Sequence, residues 1–121
     1  MTDLVLIAAG AFAGAIVRYL LSWWRSSAGT TFPYGILAAN VAGSLALGIL
    51  LAGASPDAYL LAGVGFCGAL TTFSTFSLDT LVLAREGRRA TAVLNVGVSV
   101  VACVAAAALG LAVGTALGLS A

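Results

Sequence analysis

The sequence predicts an all-α membrane protein built from four transmembrane helices, with no soluble domain. Hydrophobic residues make up 62% of the 121 residues and charged residues only 7%, a composition too apolar for a domain surrounded by water. The apolar residues form four long runs, and each run reaches the roughly 20 residues that a helix needs to cross a bilayer. Most charged residues lie at the ends of these runs or between them.

The first run covers about residues 4–24 and ends at Trp23 and Trp24. Tryptophan rings are typical anchors at the headgroup level of a membrane. The chain opens with Met-Thr-Asp rather than with basic residues. We therefore interpret the first run as a retained helix and not as a signal peptide.

The second run covers about residues 33–53 and begins at Pro33 and Tyr34. A short loop follows, and its Pro56 and Asp57 are typical of a turn that leads into a helix. The fourth run covers about residues 90–119 and completes the bundle.

The third run, about residues 58–84, combines three glycines with a polar stretch, TTFSTFS, at residues 71–77. Because this run is longer than one crossing requires, the pattern predicts a helix that is broken within the membrane. A break exposes carbonyl groups on one half-helix and amide groups on the other, and these ends attract cations and anions respectively. A packing kink explains the same pattern, and the residues alone leave both interpretations open.

Small residues recur every four positions on three of the runs, a spacing that lets helix backbones approach closely in lipid. These residues are Gly10 and Gly14 on the first run, Gly35, Ala39 and Gly43 on the second, and Gly110, Gly114 and Gly118 on the fourth.

The arginines predict the orientation of the chain. Arg25 lies in the predicted first loop, and Arg85, Arg88 and Arg89 lie in the third loop. In a four-helix protein these two loops share one side of the membrane, while the other side carries no Lys or Arg. The positive-inside rule then places both basic loops in the cytoplasm and both termini outside.

Charge and residue types exclude several classes of function. A net charge of +1 argues against nucleic-acid binding through a basic patch. The chain has no His, no acid pair and no activated nucleophile, so no catalytic constellation is predicted. No carboxylate is expected mid-membrane, which argues against proton-coupled drug export. Cys67 and Cys103 lack metal-ligand spacing and are interpreted as small hydrophobic residues.

Polar side chains inside the runs form stripes at helical spacing. Asn40 and Ser44 are four residues apart on the second run, as are Asn95 and Ser99 on the fourth. A single hydroxyl is explained by a hydrogen bond to its own helix or by a hydrogen bond that joins two helices. The stripes together contain more polar side chains than helix association requires. This number needs an explanation because a buried polar group without a partner costs several kcal/mol. The stripes predict the lining of a polar path rich in hydrogen-bond donors.

Two aromatic residues, Phe73 and Phe76, are three apart and share one helix face. Such a pair usually serves packing, but a phenyl ring has an electropositive edge. A ring edge can hold a small anion weakly enough to release it, as conduction requires.

At this point the chain resembles the Fluc (CrcB) family of fluoride channels, essentially over its whole length. GFCGALTTFSTFS at residues 65–77 is similar to the third-helix signature of the family almost letter for letter. GAFAGAIVRY at 10–19 and GILAANVAGSLALG at 35–48 are similar to its first-helix and second-helix motifs. The spacing of Asn95 and Ser99 also fits the fourth helix.

The resemblance implies two subunits packed antiparallel, with two fluoride pathways along their interface and a central sodium ion. Asn40 would donate to fluoride, Phe73 and Phe76 would contact it through ring edges, and Ser74, Thr75 and Ser99 would line a polar track. The backbone carbonyls of Gly68 and Thr71 from both subunits would hold the sodium ion. Arg18 would lie near the vestibule, although a snorkelling cation at a helix end explains this residue equally well.

The implied activity is a passive, fluoride-selective channel in the cell membrane. It would export fluoride that entered as neutral HF and became trapped in the cytoplasm, and it would need neither ATP nor proton coupling. Two departures from the family pattern stand out. Asp79 occupies a position where Glu is expected more often, and the arginine bias is strong for a protein that inserts both ways.

The arginine bias motivates the hypothesis that the chain inserts in one orientation and pairs with an oppositely oriented paralogue, with a homodimer as the alternative. Two other functions stay open at this point. One is a non-conducting or obligate-heterodimer subunit of a small membrane channel, and the other is an unrelated small-solute transporter.

Overall fold

The computed structural model describes residues 1–27 and 32–119. In these residues every regular element is a helix. The helices are α1 (Thr2–Ser27), α2 (Tyr34–Leu51), α3 (residues 56–70), α4 (Phe73–Arg85) and α5 (Arg89–Ala116). The prediction that Arg25 lies in the first loop was wrong. Because α1 continues to Ser27, Arg25 lies in the last turn of this helix. Residues 28–31 of the predicted first loop lie outside the described residues.

Four segments of the described chain are long and apolar enough to cross a membrane. They are Thr2–Trp23, Tyr34–Leu51, Pro56–Arg85 and Arg89–Ala116. The third segment comprises α3 and α4 together. The prediction of an all-α protein with four membrane-spanning segments is thereby confirmed.

The third segment is interrupted at Thr71 and Thr72. Both residues are extended, with φ −75° and ψ 150° at Thr71 and φ −149° and ψ 125° at Thr72. The hydroxyl of Thr72 caps α4, since its Oγ1 accepts a hydrogen bond from the Thr75 amide at 3.3 Å. This cap satisfies one of the amide groups that the first turn of a helix leaves unpaired.

Most of α3 is a π-helix, which the sequence did not predict. Its wide turns run from Tyr59 to Cys67, flanked by single α-helical turns at Pro56–Ala58 and Gly68–Leu70. π-Helical turns are rare and often occur at functional sites. Hydrophobic periodicity cannot reveal these turns here, because the segment itself is apolar on every face.

Two helix pairs form close contacts through facing glycines. In the α1–α3 pair, a Cβ at Gly10 would overlap the Leu61 carbonyl, and a Cβ at Gly65 would lie 2.6 Å from the Ile7 carbonyl oxygen. Gly10 and Gly65 therefore let these backbones touch, as the small-residue spacing predicted for Gly10.

The α2–α5 pair is built in the same way. A Cβ at Gly48 would overlap the Ala107 carbonyl, and a Cβ at Gly110 would overlap the Leu45 carbonyl. The prediction was wrong for Gly118, which lies beyond the end of α5 with φ +72° and has open space around it.

A tight turn at Gly87 connects α4 to α5. Gly87 adopts a positive φ of 79°, a conformation that glycine adopts without steric cost. The Arg88 amide donates to the Leu83 carbonyl at 2.9 Å, and the Gly87 amide donates to the Ala84 carbonyl at 3.2 Å. This bonding pattern is the Schellman motif. Arg85 at the end of α4 is thus separated from Arg89, the first residue of α5, by this turn alone.

Candidate functional site

A cavity of about 550 Å³ opens between α2, α3, α4 and α5, beside the interruption of the third segment. Its lining combines apolar side chains with a small set of amide, hydroxyl and backbone groups. The lining residues are Asn40, Gly43, Ser44, Leu47, Tyr59, Gly63, Val64, Cys67, Gly68, Thr71, Thr72, Phe73, Phe76, Ser99, Val100 and Cys103. None of these described residues carries a formal charge at neutral pH.

The cavity brings together most of the residues that the sequence singled out. Asn40 and Ser44 reach it from α2, and Ser99 reaches it from α5. Four further predicted residues also line it: Gly68, Thr71, Phe73 and Phe76. Ser74, Thr75 and Arg18 do not belong to the lining of this cavity in the single chain.

Asn40 is bonded to the backbone of Thr72 by both ends of its side-chain amide. Its Oδ1 accepts from the Thr72 N–H at 2.8 Å, and its Nδ2 donates to the Thr72 carbonyl at 3.2 Å. The amide thus pairs with an extended residue much as a neighbouring strand would. Nδ2 carries two hydrogens, so one of them remains after the bond to Thr72.

The sequence did not reveal this role of Asn40. Asn40 and Thr72 are 32 residues apart, and no local pattern links them. The only available signal was that an extended residue within the membrane needs partners for its amide and carbonyl. An asparagine on a neighbouring helix is a suitable partner.

Thr72 is the centre of a hydroxyl cluster at the start of α4. Its side chain is buried, and its Oγ1 lies 3.2 Å from Ser74 Oγ and 3.3 Å from Thr75 Oγ1. The hydroxyls of Ser74 and Thr75 therefore serve the cap of α4. Ser74 is exposed in the single chain and Thr75 is half-buried.

Gly43 makes room for the interruption from the side of α2. A Cβ at this position would overlap the Thr71 methyl group, Cγ2. The Thr71 hydroxyl in turn donates to the Cys67 carbonyl at 2.9 Å. The side chain of Thr71 is therefore held between α2 and the last turn of α3, and the extended backbone that follows is fixed in position.

The interruption redirects two amide groups away from the helical ladder. The Thr72 amide would bond to the Gly68 carbonyl in a continuous helix, but it donates to Asn40. The Thr75 amide would bond to the Thr71 carbonyl, but it donates to Thr72 Oγ1. The carbonyls of Gly68 and Thr71 therefore lack their regular helical partners, and both residues line the cavity.

The electrostatics of the interruption differ on its two sides. The carbonyl end of α3 carries partial negative charge, and the amide end of α4 carries partial positive charge. The cavity adjoins both ends. Its two regions therefore suit ions of opposite sign.

The two phenylalanines form a pair at the amide end of this site. The ring centroids of Phe73 and Phe76 are 5.9 Å apart and the rings are tilted by 45°, an ordinary geometry for an aromatic pair. Phe73 is 81% exposed in the single chain, whereas Phe76 is half-buried. An aromatic side chain that lines a cavity and is so exposed is available to a neighbouring molecule.

Arg18 and Asp79 lie apart from the cavity. Arg18 is half-buried on α1, and its carbonyl accepts a hydrogen bond from Ser22 Oγ at 2.9 Å. Asp79 is buried on α4 within the third membrane-spanning segment. Asp79 therefore places a carboxyl group inside the third span, six residues before its end at Arg85.

Comparisons with known proteins agree on one family. The family model described as CrcB-like protein, Camphor Resistance (CrcB), matches residues 5–111. A protein of Shewanella sp. (strain W3-18-1) named fluoride-specific ion channel FluC is 44% identical over 109 residues, covering 85% of this chain and 88% of the relative. The protein of the same name from Shewanella halifaxensis (strain HAW-EB4) is 41% identical over 116 residues, covering 91% of this chain and 94% of the relative.

Proposed function

The chain belongs to the CrcB family, and from this premise we propose that it is a fluoride-selective channel through which cytoplasmic fluoride leaves passively. It is a multi-pass protein of the cell membrane and an ion channel rather than an enzyme. The relatives named above are fluoride-specific ion channels. The observation that carries the proposal for this chain is that Asn40, Phe73, Phe76 and Ser99 line the same cavity.

The chemistry of this lining suits a small anion. The remaining N–H of Asn40 and the hydroxyl of Ser99 are hydrogen-bond donors, and phenyl edges are weakly electropositive. No Lys or Arg is among the described lining residues. An ion is therefore bound by dipoles rather than by a full charge, and it can leave again as conduction requires.

The shape of the single chain supports a dimer. The single chain does not fully enclose the cavity, and Phe73 in its lining is 81% exposed on one side of the chain. We propose that a second chain covers this side in an antiparallel arrangement and that two fluoride pathways follow the interface. Ser74 and Thr75, which the single chain leaves outside the cavity, would then extend the polar track from Ser99, and Arg18 would lie at the vestibule.

A sodium ion is proposed at the interruption, held by the carbonyls of Gly68 and Thr71. The support is that the regular amide partners of both carbonyls are bonded to Asn40 and to Thr72 Oγ1. Neutral carbonyl oxygens are suitable ligands for a monovalent cation. The same two carbonyls of the second chain would complete the site. The bound ion would supply positive charge near the anion pathway.

The arginine distribution favours an alternative to the homodimer. Arg85 and Arg89 are exposed at the turn between α4 and α5, and the positive-inside rule predicts one orientation for such a chain. The partner would then be an oppositely oriented paralogue, and this chain alone would be a non-conducting subunit.

Fluoride efflux from liposomes that contain only this chain tests the function. We expect rapid loss of fluoride, measured with a fluoride electrode, and little loss of chloride. Absence of fluoride loss from folded protein would contradict a homodimeric channel. Co-reconstitution with an oppositely oriented paralogue would then separate an obligate heterodimer, which regains flux, from a protein that does not conduct.

A further inference from the structure

Asn95 is the largest fully buried side chain among the described residues, with 1% of its surface exposed. Its Nδ2 on α5 donates to Thr80 Oγ1 on α4 at 2.8 Å. The Thr80 hydroxyl in turn donates to the Phe76 carbonyl at 2.8 Å. A continuous chain of hydrogen bonds therefore runs from α5 through Thr80 to the backbone of Phe76.

The hydrogen bond between Asn95 and Thr80 lies one helical turn away from the cavity. Ser99 follows Asn95 by four residues on α5, and Phe76 precedes Thr80 by four residues on α4. Residues four apart lie on the same helix face, separated by about 6 Å along the axis. Ser99 and Phe76 line the cavity, whereas Asn95 and Thr80 are not part of its lining.

Glycine packing does not fix the distance between α4 and α5. Gly110 and Gly114 of α5 contact α2, through Leu45 and Ile49 respectively, and a Cβ at Gly97 would meet only open space. Among the described glycines of α5, none holds its backbone against α4. The hydrogen bond between Asn95 and Thr80 is a specific polar contact between these two helices, one helical turn away from the cavity.

We propose that Asn95 is a positioning residue for the anion pathway, which fixes the gap between Phe76 and Ser99 through its bond to Thr80. The proposal rests on the proposed fluoride channel and adds a determinant of its selectivity. The gap matters because a ring edge and a hydroxyl can both contact a small anion only at a defined separation. A wider gap admits a larger anion such as chloride.

Two near-isosteric substitutions remove the bond in different ways. Asn95→Leu removes the amide donor, and Thr80→Val removes the hydroxyl while leaving Asn95 in place. Thr80→Ser retains the hydroxyl. Thr115→Val is the matched control, because the Thr115 hydroxyl also bonds to its own helix, at 3.0 Å from the Leu111 carbonyl, but it is exposed and does not line the cavity.

The readout is the ratio of fluoride to chloride efflux, compared among proteins shown to be folded by size-exclusion chromatography. A purely structural role would lower the amount of folded protein without changing this ratio. We expect Asn95→Leu and Thr80→Val each to lower the ratio roughly tenfold, the scale set by one buried hydrogen bond. The double variant should be no worse than either single variant, and Thr80→Ser and Thr115→Val should match the unmodified chain.

An unchanged ratio in folded Thr80→Val would overturn the proposal, and so would additive effects in the double variant. If Asn95→Leu does not fold, Thr80→Val decides alone. If the unmodified chain does not conduct fluoride, the proposed function fails independently. The role of the Asn95–Thr80 bond in holding α4 and α5 at a fixed distance is then tested by pulsed electron spin resonance between labels at the exposed positions Leu78 and Leu94, with Cys67 and Cys103 replaced by alanine. A distance distribution that Thr80→Val fails to broaden would rule out this role.

Discussion

The side chain of Asn40 takes the place of a peptide group opposite Thr72, accepting from its amide at 2.8 Å and donating to its carbonyl at 3.2 Å. One residue on α2 therefore stabilises the break in the third membrane-spanning segment and also faces the cavity. Because the bond to the Thr72 amide removes that amide from the Gly68 carbonyl, the proposed anion donor and the proposed cation site are coupled.

Asn40→Asp should abolish fluoride efflux while the protein still folds. The carboxylate can accept from the Thr72 amide, but it cannot donate to the Thr72 carbonyl, and its charge repels an anion in the cavity. We expect efflux to fall more than roughly tenfold. Thr115→Val, at an exposed position outside the cavity lining, is the control for a general effect of substitution. Undiminished efflux in folded Asn40→Asp would show that Asn40 is not an anion donor.

Sodium should stabilise the protein if the carbonyls of Gly68 and Thr71 bind it. A ligand that binds only the folded state raises its stability in proportion to the logarithm of concentration. We expect the thermal midpoint to rise with added sodium but not with a bulky organic cation at equal ionic strength. Asn40→Ala should weaken this dependence, since it frees the Thr72 amide to bond to Gly68. Equal midpoints in the two salts would argue against the site.

Thr72→Val should destabilise the start of α4. It removes the hydroxyl that caps the Thr75 amide, and loss of such a cap typically lowers the free energy of unfolding by about 1 kcal/mol. Thr72→Ser retains the hydroxyl and should stay close to the unmodified chain. The measurement is unfolding in detergent followed by circular dichroism. Equal stability of the valine and serine variants would mean that the cap contributes little.

Gly10→Ala should separate α1 from α3. The added methyl would overlap the Leu61 carbonyl, which is backbone and cannot rotate away, and overpacking of this kind typically costs about 1–3 kcal/mol. Gly97→Ala is the matched control, because a Cβ there meets open space and alanine favours a helix. We expect a lower thermal midpoint for the first variant and an unchanged or higher one for the second.

Orientation can be measured in cells with a compartment reporter fused to the C-terminus. The exposed Arg85 and Arg89 lead us to expect the turn between α4 and α5 in the cytoplasm and the C-terminus outside. Substituting both residues by glutamine should produce a mixture of orientations. Equal reporter signals from the two compartments in the unmodified chain would exclude the single-orientation hypothesis and favour a homodimer.

Features with a local cause were predictable from the sequence. Four apolar runs define the spans, and Gly10 and Gly110 stand in close helix contacts because small residues at a spacing of four have few other uses in lipid. The interruption was expected from three glycines followed by Thr71 and Thr72. These inferences required only the period of a helix and the thickness of a bilayer.

Features that depend on contacts between distant residues were not predictable. Asn40 was singled out as a donor to an anion, but its partnership with Thr72 requires that α2 and the break lie side by side. Asn95 was noted as part of a polar stripe. Its bond to Thr80 depends on how α5 packs against α4, which no local pattern reveals. The π-helix at Tyr59–Cys67 has no signature in a segment that is apolar on every face.

The facing glycines leave the helix pairs no local way to accept a larger side chain. A Cβ at any of four positions would meet backbone atoms of the neighbouring helix: Gly10, Gly65, Gly48 and Gly110. Because backbone atoms cannot rotate away as a flexible side chain can, a substitution at these positions has to be accommodated by moving a whole helix. Since α2 packs against α3 as well as against α5, such a movement would also shift the walls of the cavity that these helices line.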